Sequence, residues 1–317
     1  MAETLGLRAL QVDGLSTLGV VRIQQGDPGG LADLEAGLAL GEEISSPQSI
    51  RAHINLASIL MDIGELRQSA GLHAEGIRVA ERFGANYGLR HLKGEQGWDF
   101  WWAGRWDEAL SRADEMIAAV EGGSSHQMAS ACYLLRGLIR LARSDPAGAD
   151  ADSARALELG RAGKDPQNLY PILGSRARVL IELGRRDEGE RLVDELLSLW
   201  VAKPYVPNSV VVDLAACLFE LGRSSPVLPT APTLASPWLE AANHVLAGEL
   251  RRAADILAET EALPLEASIR LRAAEAFLEE GRRAEADPEL RRALDFYRNV
   301  GATAYLARAE KLLAASA

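Results

Sequence analysis

The stretch "GWDFWWAGRWDEAL", residues 97–110, gathers four of the six tryptophans of a 317-residue chain into nine positions. Its meaning comes from its surroundings, which recur. A helical run, a Gly beside a charged residue and a second run with small residues near its start also appear as "IQQGDPGGL", "MDIGELRQSA", "LARSDPAGAD", "IELGRRDEGE", "LFELGRSSP", "LAGELRRAAD" and "LEEGRRAEAD". The turn residues are Gly26, Gly64, Gly104, Ser144, Gly184, Gly222, Gly248 and Gly281, spaced by 38, 40, 40, 40, 38, 26 and 33 residues. Such spacing is the signature of helical hairpins stacked in tandem, each burying its apolar face on the next. The sequence therefore predicts an all-α fold, an α-solenoid of tandem helical hairpins with a period of about 40 residues.

Two columns support the register. Seven residues before the turn stand Gly19, Ala57, Gly97, Gly137, Ala177, Ala215, Ala241 and Ala274, all small. Three before it stand Ile23, Met61, Trp101, Leu141, Ile181, Phe219, Val245 and Leu278, all large and apolar. Four residues apart, the columns share one helical stripe, the small one admitting a neighbouring helix and the large one filling the space between.

On these residues the chain resembles the tetratricopeptide repeat family. The matching features are the small residue seven before the turn, Trp106 two after it, and the small residues Ala109, Ala149, Gly189, Ala253 and Ala286 five after it, with Leu31 and Ser69 as departures. The resemblance implies a right-handed superhelix with a concave, partner-binding groove and a C-terminal capping helix. The segments "GRWDEAL", "LGRRDEGERLVDELLSLW", "SPWLEAANHVLAGELRRAADILAET" and "LRRALDFYRNVGATAYLARAEKLLAASA" also resemble the repeat region of actinobacterial signalling proteins that join a class III nucleotide cyclase or other output domain to a P-loop ATPase of the STAND type. This implies a protein or peptide partner, and regulation of an ATPase or cyclase module. The chain itself carries no G-x-x-x-x-G-K-[ST] phosphate loop; Gly163-Lys164 is followed by Asp165-Pro166 and reads as a helix end.

Along the chain, residues 1–222 read as a hairpin array, 223–236 as a Pro-rich irregular loop, and 237–317 as two further hairpins and the capping helix, continuous with the same solenoid. Breaks are expected at "SSPQ" (45–48), "EGGSSH" (121–126), "GKDPQ" (163–167) and "AKPYVPN" (202–208). "GRSSPVLPTAPTLASP", 222–237, holds four prolines and cannot form an ordinary second helix. The hairpin begun before Gly222 is expected to lose its partner there, so that the solenoid bends or exposes apolar surface.

Composition narrows the function. A net charge of -11 and only four lysines argue against nucleic acid as a partner. No apolar run reaches the length of a membrane span and the N-terminus lacks a signal-peptide pattern, so a cytoplasmic protein with no membrane role is expected. Cys132 and Cys217 are distant in sequence and read as buried thiols; His53, His73, His91, His126 and His244 have no metal-ligand spacing. The pairs Asp107-Glu108 and Asp187-Glu188 read as stabilisers of a helix's first turn. No cofactor, no metal and no catalytic residue is expected: the chain is not an enzyme on this reading.

The repeat register divides the opening stretch. Trp101 occupies the large apolar column and is core; Trp106 is wedged between hairpins. Trp102 occupies a column of Gln24, Asp62, Ala142, Glu182, Glu220, Leu246 and Glu279, and Trp98 one of Val20, Ser58, Leu138, Arg178, Ala216, Ala242 and Glu275. Being four residues apart, the two indoles share a face. In the family that face lines the groove, which makes Trp98 and Trp102, with Ser58, Asp62, Leu138 and Arg178, the candidate partner-binding set. The other reading buries both indoles against a neighbouring repeat.

Overall fold

The computed structural model describes residues 6–203, 208–223 and 236–315, and the eight turn positions govern its architecture. At every one the backbone φ is positive: 80° at Gly26, 88° at Gly64, 71° at Gly104, 64° at Ser144, 77° at Gly184, 67° at Gly222, 77° at Gly248 and 74° at Gly281. The following residue donates its N–H to the carbonyl five positions back, as in Glu65 to Leu60, Arg105 to Phe100, Asp145 to Arg140 and Arg282 to Phe277, over 2.7–2.9 Å. Each first helix thus ends in the same left-handed cap, which satisfies its last carbonyls and reverses the chain. Glycine suits this φ because it lacks a Cβ, and Ser144 is the one position where a side chain sits there.

Sixteen helices result among the described residues: α1 (Arg8–Gln24), α2 (Gly29–Glu43), α3 (Ser49–Asp62), α4 (Leu66–Arg82), α5 (Asn86–Trp102), α6 (Trp106–Glu121), α7 (Ala129–Ala142), α8 (Pro146–Gly163), α9 (Pro166–Glu182), α10 (Arg186–Ala202), α11 (Val210–Glu220), α12 (Pro237–Leu246), α13 (Leu250–Glu259), α14 (Leu263–Glu279), α15 (Arg283–Val300) and α16 (Thr303–Ala315). The fold is an all-α repeat solenoid. α1 to α10 form five hairpins, and α1, α3, α5, α7, α9 and α11 pack side by side as one wall. The small column makes this possible: a Cβ on Gly19 would lie 2.6 Å from the Gly30 carbonyl oxygen, and Ala57, Ala177, Ala215, Ala241 and Ala274 are wholly buried. Asp107, Glu108, Asp187 and Glu188 fall in first turns, where acids complement the helix dipole.

Two sequence expectations are revised after Gly222. Most of the Pro-rich loop, residues 224–235, lies outside the described residues, as do 204–207. The apolar face of α11, however, is not left exposed: α12 packs on it directly, and Val210 to Leu218 are buried. Nor is α16 only a terminal cap. Its Tyr305 hydroxyl donates to Glu182 Oε2 at 2.6 Å, and Thr303 Oγ1 meets Ser144 Oγ at 2.8 Å.

These last contacts belong to a larger closure, in which α12–α16 fold back along the turn edge of the second, third and fourth hairpins. Trp238 donates its indole N–H to the Met61 carbonyl at 3.0 Å. Arg67 pairs with Glu261, Phe296 meets Trp106 edge to face at 5.7 Å, and Arg143 donates through Nη2 to the Val300 carbonyl at 2.9 Å. One continuous cluster of buried apolar side chains runs from Leu66 to Ala309. The accessible surface, 13746 Å² for 34.1 kDa, lies close to the roughly 12,800 Å² of a compact monomer of that mass. An open solenoid would expose far more.

The turn glycines separate hairpin formation from closure. At Gly184 an added Cβ meets open space, so Gly184→Ala carries only the left-handed strain, about 1–2 kcal/mol. At Gly64 the same Cβ would also sit 2.5 Å from Pro237 Cγ. Gly64→Ala is therefore expected to lower stability more than Gly184→Ala in urea melts; equal losses would mean that the closure contact is not made.

Candidate functional site: a tryptophan-walled cavity inside the closed solenoid

Closure converts the expected groove into an interior. α5 supplies one wall through Glu95, Trp98, Trp101 and Trp102, with Met61 of α3 beside it. Met128 at the start of α7 and Leu134 and Leu138 within it face them, as do Ile172, Ser175 and Asp213 from α9 and α11. Leu265 of α14 completes the lining from the returning C-terminal segment, and Gln167, Asn168, Asn208 and Ser209 make one end polar, at the beginnings of α9 and α11. The cavity holds about 150 Å³ and is partly open to the surface.

The tryptophans interlock. Trp98 meets Trp101 edge to face at 5.5 Å, Trp101 meets Trp102 at 4.5 Å, and Trp102 meets Trp238 at 5.8 Å. Trp102 is thereby only 6% exposed, which corrects the expectation of an open aromatic pair in a groove. Trp98 is half-buried. The physical reason is Trp238: the C-terminal segment occupies the space into which a polar column would otherwise face. Trp101 and Trp106 are buried as their columns require, and the Trp106 indole N–H donates to the Trp101 carbonyl at 3.2 Å.

The remaining sequence candidates divide. Leu138 joins Trp98 and Trp102 in the cavity wall. Arg178 is buried behind it, donating to Asp213 Oδ1 at 2.7 Å, while Ser175 donates to Asp213 Oδ2 at 2.9 Å; it ties α9 to α11 instead of facing a partner. Ser58 donates to its own helix at the Ile54 carbonyl, 2.9 Å away. Asp62 is buried at the end of α3 without a hydrogen-bond donor among the described residues, and burial, with the nearby Glu95 charge, pushes its carboxyl up to about 8.

Glu95 was not among the sequence candidates, and it dominates the electrostatics. Burial raises its pKa. The nearest base is His91, whose Nε2 stands 3.5 Å from Glu95 Oε1; burial holds that imidazole at about 4, so it is neutral at neutral pH. Asp213 is neutralised by Arg178, whereas the cation that acts on Glu95, His73, is itself paired with Asp99, and burial still keeps the Glu95 pKa raised. His73 by contrast meets Asp99 at 2.9 Å; its burial opposes protonation, yet the Asp99 carboxylate wins and raises its pKa. A signal for this site does exist in the sequence. The position nine before the turn reads Thr17, Asn55, Glu95, Leu135, Ser175, Asp213, Leu239 and Arg272, largely polar on a helix whose neighbouring columns are core.

Among the described residues no group of His, Cys, Asp and Glu is placed to hold a metal ion. Both cysteines are buried, and burial pushes the Cys132 thiol up to about 12 and raises that of Cys217 too. Among the described residues no helix is long and apolar enough to cross a membrane.

Fold and site together define the class: a solenoid of tetratricopeptide-like helical hairpins, closed on itself around an internal cavity. No family model and no curated protein sequence matches the chain. Among solved structures it is similar to the apo form of the quorum sensor NprR from B. thuringiensis, at 14% identity and a TM-score of 0.47 over 84% of this chain and 70% of that one. It is likewise similar to the apo form of RapI (8%, 0.49, 86% and 70%) and to yeast Tom70 (15%, 0.44, 94% and 64%).

Two substitutions test the geometry. Trp102→Ala is expected to cost about 3–5 kcal/mol, as removal of a buried tryptophan does, and the half-buried Trp98 less; the reverse order in denaturant melts would refute the placement of Trp238 against Trp102. For Asp62, the folded chain holds its proton up to about pH 8 while the unfolded chain releases it near 3.8. Stability therefore falls as pH rises between those values. Asp62→Asn is expected to raise stability at pH 8 by about 1–3 kcal/mol, with the gain shrinking toward pH 4; a pH-independent difference would contradict the unpartnered carboxyl.

Proposed function

We propose that the chain is a non-enzymatic interaction and sensor module of a bacterial signalling system, binding a protein partner or regulating a STAND-type ATPase or nucleotide cyclase module. The observation that carries this reading is the closure itself. α12–α16 lie across the face that would hold an extended peptide, and they do so through a short list of contacts around a cavity: Trp238 on the Met61 carbonyl, Arg67 on Glu261, Arg143 on the Val300 carbonyl and Tyr305 on Glu182. A guest in the cavity touches both the wall and the returning segment, so its binding energy falls differently on closed and opened states, which is what a switch requires.

A stand-alone scaffold that takes peptides in its concave groove is the weaker reading, because a peptide would have to displace Trp238 and Leu265 from the tryptophan wall. The hydroxyl beside an acid in the lining, Ser175 on Asp213, shares that carboxylate with Arg178, which holds it as an ion pair between α9 and α11.

The test uses the full chain together with an ATPase or cyclase module encoded beside it. Adding the chain is expected to change ATP hydrolysis or cyclic-nucleotide formation at least threefold, and Trp238→Ala, which loosens the closure, is expected to alter that effect. Unchanged turnover in both assays, with tight binding of extended peptides to the chain alone, would replace this reading by the scaffold.

A further inference from the structure

We propose that the cavity binds a small hydrophobic amine, its ammonium group set against the Glu95 carboxylate and the tryptophan faces, and its apolar body among Met61, Met128 and Leu138. This rests on the sensor reading above and names the class of ligand it would sense.

Four observations converge. The first is charge: Glu95 and Asp213 line the cavity, and no Lys, Arg or His is among the lining residues. Asp213 is already held by Arg178 and Ser175, which leaves Glu95 as the acid awaiting a cation. His91, its nearest base, is neutral at neutral pH, His73 is held by Asp99 at 2.9 Å, and burial disfavours the Glu95 charge until a further cation arrives. The second is aromatic surface. Trp98, Trp101 and Trp102 present indoles to one space, and indole faces attract ammonium groups at up to about 6 Å.

The third is size. A cavity of about 150 Å³ takes a benzene-sized guest, so a ring bearing a short amine fits and a folded peptide segment does not. The fourth is Trp102 itself, whose buried indole Nε1–H has no hydrogen-bond partner. Buried donors are nearly always satisfied, and an oxygen on the guest supplies the missing acceptor. A hydroxyl- or ether-bearing arylalkyl amine meets all four demands.

Calorimetry and tryptophan fluorescence on the full-length chain test this with 2-amino-1-phenylethanol as probe, 1-phenylethanol as its neutral counterpart and mandelate as its anionic one. The amine is expected to bind at least tenfold more tightly than the alcohol, and mandelate more weakly than either. Glu95→Gln is expected to abolish the preference for the amine while leaving alcohol binding within twofold, which shows that the cavity still forms. Equal binding of amine and alcohol, or an amine preference that survives Glu95→Gln, would overturn the proposal. So would tighter binding of an apolar tripeptide with a free amino terminus than of the probe, since the occupant would then be a chain end. These measurements read the isolated chain, so they stand apart from the sensor reading: amine binding without any effect on an ATPase or cyclase would sink only that reading, and module regulation without amine binding only this one.

Discussion

The indole of Trp238 is the contact on which the rest of the structure depends. It lies fully buried at the start of α12, capped on its N–H by the Met61 carbonyl and set against Trp102. Through it the last quarter of the chain is fastened to the second and third hairpins. A solenoid built from nearest-neighbour contacts alone grows as an open superhelix; this one gains contacts between segments some 170 residues apart, as the 177-residue separation of Trp238 and Met61 shows. The consequence is an interior, and the interior is where unpartnered acids and aromatic surface collect.

The repeat architecture was legible because it rests on local rules. A left-handed turn residue, a small residue seven positions earlier and a large one three earlier are requirements of a single hairpin; all eight turns obey them, seven with glycine and one with Ser144. Trp101 and Trp106 could be placed from their columns for the same reason. Trp102 could not, because its burial depends on a residue 136 positions away: the repeat column predicts what one helix presents, not what later folds across it. Most of the Pro-rich segment after Gly222 lies outside the described residues, and the sequence did not reveal that α12 covers α11 and brings Trp238 to the wall.

Buried charge follows the same division. The pairing of Arg178 with Asp213, and of Arg272 with Glu220, joins first helices of successive or later hairpins, so each arginine is compensated where it is desolvated. Asp62 and Glu95 have no arginine of this kind, and burial raises the pKa of both. Asp62 ends α3 beside Met61, whose carbonyl receives Trp238, and Glu95 lines the cavity from α5. A fold that leaves acids uncompensated at its own closure has a reason to respond to a cation there, and this links the electrostatics to the proposed sensing role.

The central claim is that the chain is closed on itself in solution, and small-angle X-ray scattering measures that directly. A closed solenoid of 317 residues has a radius of gyration near that of any compact domain, about 20 Å. A value of about 26 Å or more, well outside the compact scaling, would show an open superhelix with a free groove and would contradict the account.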